Sequence, residues 1–531
     1  MKKKLLPIGL ATLSGVLYAL GFVGYDQFYL EWIAFAPLVV ALGLTTTGRR
    51  AFFLSWWMGT CAQMVVYVWI VHLLRTFASL SVPLAVLGYL LLCIGQGFQM
   101  GLAGWLAFKL TERTRIPIGW TYVVGLVATE FIVPMLFPSY TANSQAWVPL
   151  LIQVVELGGT LLLSGIIALV GGALGEVILA RITRRPFPRG IALWAAGAFA
   201  FVIVWGLVRM PMVDARDAAA PKLKVAIVQA NIGAGEKHLH AEAGIARFRE
   251  QTDAVLRGEP GLGLVVWPES ALNRSVSMSA NLSGVVASDV KVPMIVGAVR
   301  RDAASGRIKH WNSLLDVAPG GQVVAAYDKV KLLVFGETLP LYETIPGFYE
   351  WLLKQGLLPY VSVFSQGTTT EPLPVGPYRL SADVCYEDII PRHIRDLMVP
   401  IDEHGTRPHA MVNGTNDSWY GPAEPPIHLA LAVFRAVEHR RWLIRATATG
   451  ISAFVDSSGR LVQKSGFETA ETLVQDVPMI EGGATVYGLV GDVLGWLSLA
   501  AAAYGLLQKR LRPARGPKGI QADEKAATGV G

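Results

Sequence analysis

Ser381-Ala382-Asp383-Val384-Cys385-Tyr386-Glu387-Asp388 reads as the end of a short buried strand that delivers a lone cysteine, followed at once by an aromatic residue and two carboxylates. A thiolate is a strong nucleophile, and a thiol at a strand end beside acids is a candidate for covalent catalysis. Free cysteine is also among the most buried residue types, so the same stretch admits a second reading as a small core hydrophobe. What the rest of the chain sets around residue 385 decides between them.

Of the 531 residues, 53% are hydrophobic and only 16% charged, which argues against a wholly soluble protein. The apolar excess lies in residues 5–210, whereas 211–480 has the composition of an ordinary globular domain. Cys61, Cys93 and Cys385 show no metal-ligand spacing, and two of them fall inside apolar stretches, which speaks against a disulfide framework. The net charge of +7 does not mark a nucleic-acid partner, because many of the basic residues sit at the edges of apolar segments.

Segments 5–23, 28–45, 52–74, 82–108, 117–137, 150–180, 191–209 and 485–507 are each apolar enough to cross a bilayer, which takes about 20 residues. Lys2, Lys3 and Lys4 before the first resemble a signal peptide, but the spans that follow closely favour an uncleaved anchor. Alternate loops carry the positive charge: Arg49 and Arg50; Lys109, Arg113 and Arg115; Arg181, Arg184, Arg185 and Arg189; then Lys509, Arg510, Arg512, Arg515 and Lys518. Positive residues stay in the cytoplasm, so both termini are expected there. The expected organisation is a membrane domain over 1–210 with seven transmembrane helices and a linker over 211–221. A periplasmic domain over 222–480, an eighth helix over 484–508 and a basic, disordered tail over 509–531 follow. The fold class is thus an eight-helix membrane domain plus an α/β domain, in a bacterial inner membrane. Glu31, Gln63, His72, Gln96, Glu130, Gln153, Glu156 and Asp492 are polar residues within the spans, where interhelical bonding and function are both open. The outer loop 138–147 holds Tyr140 and Trp147, which suit a substrate entrance and interfacial anchoring equally.

In the outer domain, strands are expected at 223–229, 262–267, 292–299, 311–317, 322–327, 378–384, 409–413, 443–448 and 451–455, with helices near 240–257, 389–398 and 426–441. Mixed strands and helices over this length fit one α/β domain. Three strand ends carry polar residues: Trp267-Pro268-Glu269-Ser270, Tyr327-Asp328-Lys329-Val330-Lys331-Leu332, and Cys385. Glu269 suits a helix-start acid and Lys329 a solvated turn when each is read alone. Together they form a thiol nucleophile, a carboxylate to take its proton and an ammonium to stabilise an oxyanion. His310, His409, His428 and His439 stand in no protease signature and read as surface or structural residues.

Pro-Glu after an apolar strand, Tyr-x-Lys-x-x-Leu and Cys-Tyr-Glu, in that order, resemble the Glu-Lys-Cys triad of the nitrilase superfamily. With apolar spans on both sides, the resemblance narrows to the apolipoprotein N-acyltransferase family. Phe335-Gly336-Glu337-Thr338-Leu339-Pro340 and Asn416-Asp417-Ser418-Trp419-Tyr420-Gly421 are similar to sequences of that family. The resemblance implies an α-β-β-α sandwich, with Glu269 as general base, Lys329 as oxyanion stabiliser and Cys385 as nucleophile. Lys329 rather than Lys331 holds the first position of the Lys-x-x-Leu pattern. Glu337, Tyr386 and Glu387 match supporting positions, and Trp419 matches an aromatic that handles substrate. Val334 and Ala448 depart from the family's usual Pro and Asn, away from the triad.

The implied reaction is a two-step transfer without metal or other cofactor. An acyl chain passes from a membrane phospholipid, phosphatidylethanolamine, to Cys385 as a thioester. It then passes to the α-amino group of a diacylglyceryl-cysteine at the amino terminus of an apolipoprotein. Two other readings are a membrane-anchored amidase with the same triad, and a transporter or scaffold whose outer domain only binds ligands.

Overall fold

The computed structural model describes residues 2–233, 241–302, 308–334, 336–339, 344–354, 364–399 and 405–508. The predicted tail over 509–531, with the basic residues named above, lies outside the described residues, as do Phe335 and Pro340 of the motif quoted above.

Helices lead the chain: α1 (Lys2–Gly21), α2 (Glu31–Gly43), α3 (Gly48–Val66), α4 (Ile70–Thr76), α5 (Val82–Thr114), α6 (Ile118–Ile132), α7 (Pro149–Ile152), α8 (Val155–Ile182) and α9 (Arg189–Ala219). Each of the first seven apolar segments falls on these helices, with 52–74 divided between α3 and α4 and 150–180 between α7 and α8. By length and composition, α5, α8 and α9 are able to cross a membrane, and α3 and α4, bent by 59° at the break between them, reach that length only when taken together. The apolar helices over Leu5–Gly21, Phe28–Gly43, Ile118–Ile132 and Val493–Leu507 are shorter, at 10–17 residues. Among the described residues three helices, or four with the bent pair taken as one span, have the length of a full crossing, against the eight spans expected from hydropathy. The difference arises because apolar stretches run past helix ends: α6 stops at Ile132 although 133–137 stays apolar. Large apolar side chains such as Leu193, Trp194 and Leu207 of α9 stand exposed, a surface that a bilayer satisfies and water does not.

The stretch 211–221, read as a linker, is helical up to Ala219. It contains no glycine, its Ala and Arg residues favour helix, and it has inward anchors: Trp442 donates to Asp217 at 2.9 Å.

The rest of the described chain comprises β1 (Lys222–Gln229), α10 (Ala241–Gly258), β2 (Leu264–Val266), β3 (Leu272–Val276), β4 (Met294–Asp302), β5 (Lys309–Val317), β6 (Val323–Asp328), α11 (Pro346–Lys354), β7 (Leu373–Val375) and β8 (Tyr378–Val384). After these come α12 (Pro391–Leu397), β9 (Ala410–Thr415), α13 (Pro425–His439), β10 (Leu443–Thr447), β11 (Ala453–Val455), β12 (Leu461–Lys464), β13 (Glu471–Pro478), α14 (Val486–Val490) and α15 (Val493–Leu507). One sheet runs β13-β1-β2-β4-β5-β6 with β3 paired to β4, and the other runs β12-β11-β10-β9-β8-β7.

Period-two alternation assigns the faces. Val225, Ile227 and Val266 of the first sheet share a core with Val384, Val412 and Ile444 of the second. Their neighbours Ala226, Val228 and Val265 point the other way and pack with Ile245 and Phe248 of α10. Helix α13 leaves the second sheet through the tight pair β9–β10 and reaches the membrane half, where Thr160 of α8 donates to Glu438 at 2.7 Å. The layers are helix, sheet, sheet, helix. The inter-sheet core is continuous with that of the membrane helices, so the two halves form one packed body.

Candidate active site

Three strand ends meet at one edge of the sandwich. Glu269 follows β2 by three residues, Lys329 follows β6 directly, and Cys385 follows β8 directly. Glu269 comes close to β4 because residue 297 is glycine; a Cβ there would fall on the carbonyl oxygen of Pro268. Cys385 turns the chain with φ +53°, a left-handed conformation that costs a non-glycine residue about 1–2 kcal/mol. That strain turns the thiol out of the strand direction into a cavity of about 550 Å³.

The polar head of this cavity is a linked set. Lys329, 1% exposed, places Nζ 2.7 Å from Glu337 Oε2 and 4.0 Å from Glu269 Oε1. The side-chain amide of Asn312, on β5, donates to Glu269 Oε1 at 2.6 Å and to Glu337 Oε1 at 2.7 Å. Glu337 also accepts from the Leu333 amide at 2.9 Å, which folds the loop after Lys329 back over the site. Burial works against the Lys329 ammonium, but Glu337 and then Glu269 outweigh it and hold its pKa above the usual lysine value. Burial and the nearby Glu269 push the Cys385 thiol well up, with Lys329 and Thr415 pulling it down only in part. The resting sulfur is a protonated thiol, which needs a base to become a nucleophile.

The other end of the cavity is apolar and comes from the membrane half. Ile70, Leu73, Leu74 and Phe77 at α4, Leu92 of α5, and Leu136 and Phe137 after α6 line it. Trp419 stands at the boundary, its ring edge-on to Phe77 with centroids 5.2 Å apart.

Of the residues singled out from sequence, Glu269, Lys329, Cys385, Glu337 and Trp419 line this one cavity. Lys331 is exposed instead. Glu387 is fully buried behind the site and works as a brace. Its oxygens accept from the Val330 and Lys331 amides at 2.7 Å each, the Val384 amide at 2.8 Å and the Tyr327 hydroxyl at 3.0 Å. Tyr386 points to the membrane half, donating its hydroxyl to the Leu136 carbonyl at 3.0 Å. Burial pushes that phenol up to about 12, so it remains a donor at neutral pH.

Sequence reasoning missed Asn312, a polar residue inside an expected strand with no motif around it. Of the two readings open for His428, surface or structural, burial leaves the structural one. The His428 ring lies 3.0 Å from Asp388 Oδ1 through Nε2 and 3.1 Å from Asp417 Oδ1 through Nδ1. Burial and Arg445 oppose its charge, but Asp388 and Asp417 carry it up to about 10, so His428 is an imidazolium. Asp417, Glu424 and His428 bring donor atoms within 4.8 Å of one another, as a metal site would. With both ring nitrogens already facing carboxylates, and Arg445 paired with Asp388 and Asp417, the protein supplies its own cations to this cluster. Asn413 ties the cluster to the Cys385 turn: it donates to the Cys385 carbonyl at 3.3 Å and accepts from Arg445 at 3.0 Å.

Residues 14–173 match the model of the apolipoprotein N-acyltransferase N-terminal domain, and residues 224–486 match that of carbon-nitrogen hydrolases. Apolipoprotein N-acyltransferase from Geobacter metallireducens is 30% identical over 93% of this chain and 93% of its own. The protein of the same name from Azotobacter vinelandii is 30% identical over 93% of this chain and 95% of its own. Among solved structures, Saccharomyces cerevisiae Nit3, of the nitrilase superfamily, aligns with 49% of this chain and 90% of its own, at 18% identity and a TM-score of 0.36. With relatives matching it from the first membrane helices to the end of the sandwich, the chain belongs to the apolipoprotein N-acyltransferase family.

Proposed function

We propose that the protein completes lipoprotein maturation by moving an acyl chain from a membrane phospholipid to the α-amino group of an amino-terminal S-diacylglyceryl-cysteine. Glu269 takes the proton of Cys385, and the sulfur attacks the acyl ester carbonyl. Lys329 stabilises the oxyanion, the C–O bond breaks, and the lysophospholipid leaves with its proton restored. The incoming amine then attacks the thioester, the C–S bond breaks, and an amide forms as the thiol is regenerated. No nucleotide is consumed, because ester, thioester and amide supply the driving force in turn. Phosphatidylethanolamine is the donor we assign.

One observation carries this reading: a single cavity joins the thiol and its charged partners to an apolar wall built by α4 and α5. A small amide would leave that wall empty, whereas an acyl chain fills it. The alternation of basic loops supports eight crossings, with the unit over 222–480 on the periplasmic face and both termini in the cytoplasm.

Intact-mass measurement on the purified protein incubated with phosphatidylethanolamine tests the mechanism. The expected result is a gain of one acyl chain that hydroxylamine removes, that Cys385→Ser lacks, and that a diacylated lipopeptide discharges as its N-acylated product. An active enzyme that never carries the adduct sinks the covalent route. Release only as free fatty acid identifies a hydrolase.

A further inference from the structure

Polar side chains buried in apolar helices need partners, and here several converge on the segment between α6 and α7. The Phe137 amide donates to Gln96 of α5 at 3.1 Å, and the Phe137 carbonyl accepts from the Tyr67 hydroxyl, at the end of α3, at 3.0 Å. The Ser139 hydroxyl accepts from Gln63 of α3 at 3.2 Å. Glu130 of α6 accepts from both the amide and the hydroxyl of Thr141, at 2.9 and 2.7 Å. Gln63, Tyr67, Gln96 and Glu130 are all buried. Irregular backbone at such depth persists only when its groups are satisfied by protein, and these helices satisfy it.

From the opposite side, the same segment receives the hydroxyl of Tyr386, the residue directly after Cys385, on the Leu136 carbonyl. Leu136 and Phe137 also line the cavity that holds the thiol. The loop is therefore fixed by membrane helices on one side and attached to the nucleophile turn on the other. That turn has a left-handed residue at Cys385, and a strained conformation persists only where its surroundings determine it.

We propose that Gln96 and Tyr67 are positioning residues for acyl transfer: through Leu136 and Phe137 they hold Tyr386, and with it the Cys385 turn, at the head of the cavity. This role rests on the reading of Cys385 as the residue that takes the acyl chain. It assigns the membrane helices a part in the chemistry as well as in anchoring.

The test uses the full chain in detergent and follows acylation of Cys385 by phosphatidylethanolamine in a single turnover. Tyr67→Phe and Tyr386→Phe each remove one hydroxyl from the chain of contacts. Each is expected to slow acylation about 10- to 100-fold, the scale on which misplacement of reacting groups acts. The double variant is expected to be no slower than the slower single, since both cut the same connection. A double variant slowed by the product of the two effects, or singles at the wild-type rate, overturns the proposal. Should Tyr67→Phe fail to fold, Gln96→Met takes its place in the same cycle. Should neither fold, hydrogen exchange at the Phe137 amide in Tyr386→Phe decides, faster exchange supporting the connection and unchanged exchange overturning it. Acylation persisting in Cys385→Ser overturns the nucleophile assignment itself, a result distinct from wild-type rates in the positioning variants.

Discussion

The Lys329 ammonium is bound by Glu337, at 2.7 Å, more closely than by Glu269, at 4.0 Å. The division matters for the base role proposed for Glu269, because a carboxylate fully engaged by a lysine has little basicity left. Here Glu337 absorbs the ammonium, and the Asn312 amide bridges Glu337 and Glu269 so that two carboxylates share a site without direct repulsion.

Asn312→Asp replaces that bridging donor with a third carboxylate. Like charges at this range cannot all ionise, so a proton is retained among them and the base is lost. Acylation of Cys385 is expected to fall on the order of 100-fold, with partial recovery at higher pH. Asn312→Ala, which adds no charge, is expected to fall less. Single-turnover acylation across a pH series distinguishes the two, and equal profiles for both variants refute the charge argument.

Glu387→Gln tests the brace behind the site. Its carboxylate accepts from three backbone amides and the Tyr327 hydroxyl, and no amide group satisfies that many donors. The loss is expected to be about 3–5 kcal/mol of stability, as for other broken buried charged networks. Chemical denaturation measures it. The Val330–Lys331 backbone is attached through this carboxylate, so activity at temperatures well below unfolding is expected to drop as well.

How much of this was legible beforehand follows from range in sequence. Glu269, Lys329 and Cys385 each end a run of apolar residues, a local pattern that shows without neighbours. Asn312 and Asp316 sit inside a strand, where one polar residue carries no period, and their meaning comes only from partners on other strands. Strand β13 was not expected because its pairing with β1 joins residues some 250 positions apart, as in Gln229 with Glu471. The helix through 211–219 does not show in the sequence because its polar composition suits an irregular linker equally well, and its anchor Trp442 lies far along the chain. The motif implies a supporting place for Glu387, but its contacts with the Val330 and Lys331 amides show only in the loop geometry.

Asp316, on β5, is buried, and neither carboxylate oxygen has a hydrogen-bond partner among the described residues. Burial pushes its carboxyl up to about 7, against a smaller pull down from Arg379. An unfolded aspartate titrates near pH 3.9, so between about 4 and 7 the folded state holds more protons than the unfolded one. Stability from this group is then full at low pH and is lost as pH rises through 7. Asp316→Asn removes the charge at every pH. Its expected effect is near zero at pH 4 and a gain of about 1–3 kcal/mol at pH 8, the scale of an unsatisfied buried polar group. Unfolding curves at the two pH values check it, and a gain at pH 4 equal to that at pH 8 contradicts it.

Arg440 and Glu156 join the two halves of the molecule. Arg440, just past α13, donates to Glu156 of α8 at 2.8 Å and to the Gln153 side chain at 2.6 Å, with both partners buried. Removing one member of a buried pair leaves the other desolvated and costs about 3–5 kcal/mol, more than the pair itself contributes. Arg440→Leu is therefore expected to lower the melting temperature of the full chain sharply and to expose the 220–221 junction to protease. Arg440→Lys recovers only part, because an ammonium lacks the fork that reaches both Glu156 and Gln153. The double variant Arg440→Leu/Glu156→Leu is expected to melt above Arg440→Leu alone, since no uncompensated carboxylate remains and Arg209, 29% exposed, reaches water by itself. A double variant less stable than the single shows that Glu156 stabilises the junction through Arg209 and Trp205, and that Arg440 is not its main partner.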